Sequence, residues 1–180
     1  MSLRVDLYPI QLATLSAHLR GRAGDAQALA AELKTKLPAL DPAIVEALLG
    51  GTLGPSTMPV ESEPFASLMC RLAYRVRPPE PPVLFDLGGL WNALAQLSGD
   101  GALEGEPAHL ASFLLGGRPM VGVQIDSAWS SYAWISSGEL DAFTVLLDRA
   151  EPMAKYDVSQ ARPWLAEVRR RELEIFVAVG

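Results

Sequence analysis

Cysteine is almost missing from this chain: Cys70 stands alone among 180 residues. One thiol cannot close an internal disulfide, and it cannot build a thiolate metal cluster. It falls between Met69 and Leu72 in an apolar helical pattern, which predicts a buried, unreactive side chain. Histidine is nearly as scarce. His18 and His109 each sit between alanine and leucine, with no second ligand at metal-binding spacing, so both read as helix-face residues and no metal site is expected. No apolar run approaches the roughly 18 residues of a membrane span. The opening "MSLRVDLYPI" is charged by its fourth residue and has no signal-peptide core. The expectation is a mature, cytoplasmic protein without membrane association.

Positive charge is the other shortage. Fifteen Lys and Arg against 21 Asp and Glu leave a formal charge of −6, which argues against a nucleic-acid partner. The densest basic run, Arg169-Arg170-Arg171, is followed by Glu172 and Glu174 and reads as a solvated face. No P-loop, dinucleotide-binding glycine fingerprint, nucleophile elbow or H-E-x-x-H motif is present. No cofactor and no catalytic residue is therefore assigned. "GDGALEG" (99–105) is glycine-rich but follows a helical pattern, and Asp100, Glu104 and Glu106 would repel phosphate. The regular carboxylate spacing of a calcium loop is missing, so a solvated turn is the reading.

What is present is a chain with 49% hydrophobic residues and clear periodicities. Leu3, Val5 and Leu7 alternate with polar neighbours as in a strand that ends at Pro9. Leu12, Leu15 and Leu19 mark one helix, and Leu29, Leu33 and Leu37 a second. In "LDPAIVEALLGG", Asp41 is placed to cap, Pro42 to open and Gly50 to end a third. Phe65, Leu68, Met69, Leu72 and Val76 form the stripe of a fourth, with Ser62 as its cap. "RPPEPPV" (77–83) cannot continue a helix and reads as a stiff connector within one domain. Beyond it, Leu87, Leu90, Trp91, Leu94 and Leu97 share a helical face capped by Asp86, and "PAHLASFLLGG" is a short amphipathic segment. Val121, Val123 and Ile125 alternate as a strand, and "SYAWI" is another. Ser136 and Glu139 have capping-box spacing ahead of Leu140, Phe143 and Leu147. A helix around 164–170 precedes "IFVAV", apolar at both parities, as a strand buried on two faces would be. The fold class that follows is α+β: residues 1–180 as a single, helix-rich domain with a small mixed or antiparallel sheet that includes the N- and C-terminal strands.

The segment with the most chemistry is "DSAWSSYAWI". Trp129, Tyr132 and Trp134 lie within six residues, among Ser130, Ser131 and Asp126. Tyr132 and Trp134 are two apart, so in a strand they share a face. Such a pair packs a core or stacks on a ligand ring or a partner, and both alternatives stay open at this point. These six residues are the candidate ligand- or partner-binding set.

The order "LGGLWNALAQLSGDGALEG", "HLASFLLGGRPM", then a strand and "ISSGELDAFTVLL" resembles the YfbM-like domain family of bacterial proteins of unknown function. The opening "LRVDLYPI", leading straight into a helix, is similar to that family's N-terminus. The resemblance covers about half the chain, mostly 84–147, and departs from the family pattern at 77–82 and after Pro152. It implies an α+β fold and carries over no active site. The expected function is a non-enzymatic module that binds a protein partner or a small ligand. One alternative is an immunity-type protein, whose acidic charge suits a basic toxin. Another is an enzyme whose site is assembled from distant residues, with His109 brought to Asp126, Ser130 or Ser131.

Overall fold

The computed structural model describes residues 4–22, 24–52, 63–85, 87–118, 131–154 and 160–180. They form a helix-rich α+β domain around three antiparallel strands in the order β1-β3-β2: β1 is Val5–Ile10, β2 Ser131–Ile135 and β3 Glu174–Val179. The strands from the two ends of the chain are therefore neighbours. Arg4 and Gly180 exchange both backbone hydrogen bonds, at 2.7 and 3.0 Å. The "IFVAV" run is the central strand, and every residue from Ile175 to Val179 is buried.

Strand parity divides the interior into two cores. Tyr8, Ile10, Tyr132, Phe176 and Ala178 face one way, against α1 (Leu12–Leu19), α2 (Ala26–Lys36), α3 (Pro42–Gly50) and α4 (Glu63–Val76). Val5, Leu7, Ala133, Ile135 and Val177 face the other way. There they meet α5 (Gly88–Gly99), α6 (Gly105–Gly116), α7 (Leu140–Ala150) and α8 (Ala161–Arg170). The first half of the chain covers one face of the sheet and the second half the other. Within the first core Phe176 is fully buried, with Tyr8 edge-on at 5.8 Å and Tyr132 stacked at 5.9 Å. Burying one such ring stabilises the fold by about 1.5–3 kcal/mol.

The capping signals become structure. Asp41 Oδ1 accepts from the Ala43 N–H at 2.8 Å, Pro42 opens α3, and the chain leaves it through Gly51 in the left-handed region at φ 65°. Ser136 and Glu139 form a capping box at a short 3-10 turn (Ser137–Glu139) that runs into α7. Ser62, Asp86 and the strand expected at 121–125 lie outside the described residues, as does the Phe65 side chain.

β1 differs from expectation, since it runs through Pro9 to Ile10. The bonds between Arg4 and Gly180 place even-numbered β1 residues in register to bond β3, so position 9 points away from the sheet. On an edge strand a residue without an N–H is tolerated at such a position. Leu7 uses the same outward direction to pair with Leu84, at 2.8 and 3.0 Å. The proline-rich connector thus ends as a cover for the β1 edge. It also carries the chain across the sheet, because Val83 belongs to the first core and Leu84 packs on the second. Trp164 of α8 holds it in place, donating its indole N–H to the Pro82 carbonyl at 2.6 Å. Among the described residues no helix is long and apolar enough to cross a membrane.

Candidate functional site

The aromatic pair of β2 does share one face of the sheet, and its members have different surroundings. Tyr132 is 4% exposed and stacks on Phe176. Trp134 is half-buried at the rim of the same core. Trp129, Ser130 and Asp126 lie outside the described residues, and Ser131 is described through its backbone alone. The expected meeting of His109 with Asp126 or Ser130 lies outside them too.

Trp134 is covered by a residue that sequence reasoning left unassigned. The Arg118 guanidinium carbon lies 3.5 Å from the Trp134 ring centre and 4.6 Å from that of Phe113 on α6. Its Nη1 donates to Glu139 Oε1 and Oε2 at 2.9 and 2.7 Å, and to the Trp134 carbonyl at 3.1 Å. The Arg118 backbone N–H donates to the Tyr132 carbonyl at 3.0 Å. Both carbonyls are on the side of β2 away from β3, and one residue binds both, with its main chain and its side chain.

Glu139 is held from a second direction as well. Its Oε2 accepts from the Ser136 N–H at 2.9 Å and from the Ser136 hydroxyl at 2.7 Å. Partial burial pushes this carboxyl upward, but the bonds from Arg118 and Ser136 outweigh it and hold it below the usual glutamate range.

Glu139 and Phe113 also line a groove of about 750 Å³ between α6 and the start of α7. This is within the size range of ligand sites, about 300–1,000 Å³. Leu103, Phe113 and Ala142 supply apolar wall, and Glu104, Glu106 and His109 supply polar groups. The His109 ring meets Phe113 edge-on at 6.0 Å. A cleft of about 300 Å³ continues past Leu103 and Glu104 to Pro107, Arg149 and Val145, an exposed valine of α7. The "GDGALEG" turn is therefore also a groove wall. On α6 the buried stripe is Leu110, Ala111 and Leu114, which leaves the large Phe113 off its axis and on the groove.

Among the described residues Glu104 and Glu106 have no ion-pair partner, unlike Glu139. No group of three His, Cys, Asp or Glu side chains there could hold a metal ion. His18 lies on the other side of the sheet, with Nδ1 3.0 Å from the Thr14 carbonyl and Nε2 3.3 Å from Asp25. No family model, curated protein or solved structure matches this chain.

Proposed function

We propose that this chain is a non-enzymatic binding module whose groove between α6 and α7 takes a positively charged, amphipathic segment of a protein partner. One observation carries the reading. An apolar wall of Leu103, Phe113 and Ala142 lies beside two carboxylates, Glu104 and Glu106, that form no ion pair among the described residues. Apolar side chains of a partner would be buried on that wall, and its lysines or arginines would meet the carboxylates. The formal charge of −6 favours the same partner at longer range, by steering its approach. A basic toxin bound by an immunity-type protein is one partner of this chemistry.

The test is a selection of random 12-residue peptides on the immobilised protein. Enriched peptides should combine net positive charge with apolar residues. Their binding should weaken at least tenfold in the E104K/E106K double variant and again in V145D. Selected peptides without a basic bias, or binding indifferent to these substitutions, would refute the reading.

A further inference from the structure

We infer that Phe113, Trp134 and Glu139 form a guanidinium-binding site, filled within the chain by Arg118, which an arginine of a ligand can occupy in its place. Two ring faces, a carboxylate and a main-chain carbonyl surround one planar cation. What favours guanidinium over ammonium here is the pair of rings: the flat ion lies over Trp134 and Phe113 while its Nη1 reaches the carboxylate and the carbonyl.

Each wall also has an anchor other than its occupant. Phe113 is anchored on α6 and Trp134 on β2, and Glu139 is fixed by Ser136 through the capping box at the start of α7. Walls anchored in this way reduce the ordering that opposes an incoming ligand. The site also has an entrance. Phe113 and Glu139 both line the groove, and the Arg118 side chain is 17% exposed. A guanidinium arriving there replaces Arg118 charge for charge, so the Glu139 carboxylate is never left buried without a cation. That the arriving group is a partner's arginine rests on the groove reading; the existence of the site does not.

Arg118→Ala empties the site and keeps the backbone bond to Tyr132. Its melting temperature should fall, then rise saturably with methylguanidinium chloride at concentrations on the order of 10 mM, recovering at least half of the loss. Such concentrations are far below those at which guanidinium denatures. Methylammonium chloride at equal concentration should restore none of it, and wild type should respond to neither salt. Acetyl-arginine amide should act like methylguanidinium, and acetyl-lysine amide should not. In the R118A/E139Q double variant the restoration should vanish. Should R118A not fold, Arg118→Gln takes the same titration with the same expectations.

Equal curves for methylguanidinium and methylammonium would overturn the inference, as would restoration that survives E139Q. The E104K/E106K substitutions should leave this titration unchanged while they weaken peptide binding. A flat titration beside intact peptide binding removes the guanidinium site alone. The reverse pattern removes the groove reading alone.

Discussion

Replacing Gly51 with alanine tests how the first half of the fold is closed. Gly51 follows α3 with φ 65°, and a Cβ built on it would lie 2.1 Å from the Arg20 carbonyl oxygen. The contact is mutual, since a Cβ on Gly21 would come 2.4 Å from the Leu49 carbonyl oxygen. The ends of α1 and α3 therefore meet backbone to backbone, and the obstructing atoms cannot rotate away. Two costs add. The left-handed conformation costs an alanine about 1–2 kcal/mol. Forcing the two helix ends apart resembles overpacking, at about 1–3 kcal/mol. Leu15, Leu19, Ile44 and Leu48, all buried between these helices, would absorb the shift. The sum is roughly 2–5 kcal/mol, which for a chain of this size lowers the melting temperature by roughly 4–20 °C. Gly101 separates the two costs, because it has φ 64° but nothing within 4 Å of its virtual Cβ. G101A should lose only the conformational part. Urea denaturation with an unchanged slope measures both variants. If G51A costs no more than G101A, the close approach of α1 and α3 is not what holds this end together.

Acid should act through Glu139. Its folded carboxyl is held below its unfolded value, so its contribution is complete above the ordinary glutamate range and is lost as pH falls through the folded value. The stability difference between wild type and Glu139→Gln should stay flat from pH 7 to about pH 5 and shrink below about pH 4. A difference that instead grows on acidification would contradict the assignment. Cys70 is only partly buried, at the margin of the first core, but burial, with Asp6 adding to it, pushes its thiol up to about 11, so it should alkylate slowly in the native protein. Iodoacetamide at pH 8 should label it much faster once denaturant is added. Rapid labelling of the folded chain would show that this part of the first core is open.

Several elements were legible because their signals are local. Asp41 and Pro42 act within the first turn of α3, and Gly50 and Gly51 at its end, so no tertiary information is needed to place that helix. The same holds for the box of Ser136 and Glu139. β3 could be read because a strand buried on two faces must be apolar at both parities. The shared face of Tyr132 and Trp134 was equally available. Their different burial was not, because it depends on what crosses above each ring. Phe176 from the adjacent strand covers Tyr132, and Arg118 covers Trp134. The groove was out of reach for a related reason: its walls come from α6 and α7, whose separation no periodicity encodes.

The segments that read as punctuation run beside the outer strands. Among the described residues β1 and β2 flank the sheet, and an uncovered strand edge invites pairing with another chain. "RPPEPPV" leads into Leu84, which pairs with Leu7 on the outer side of β1. "GGRPM" contains Arg118, which takes the Tyr132 and Trp134 carbonyls on the outer side of β2. Proline and glycine mark where regular structure stops, and next to a strand edge such a stop is also a change of partner. On the β1 side the cover is main chain pairing with main chain. On the β2 side part of the cover is a charged side chain, and a side chain can be exchanged for a ligand group without unpairing the sheet. That difference is why the binding site is placed at β2 and not at β1.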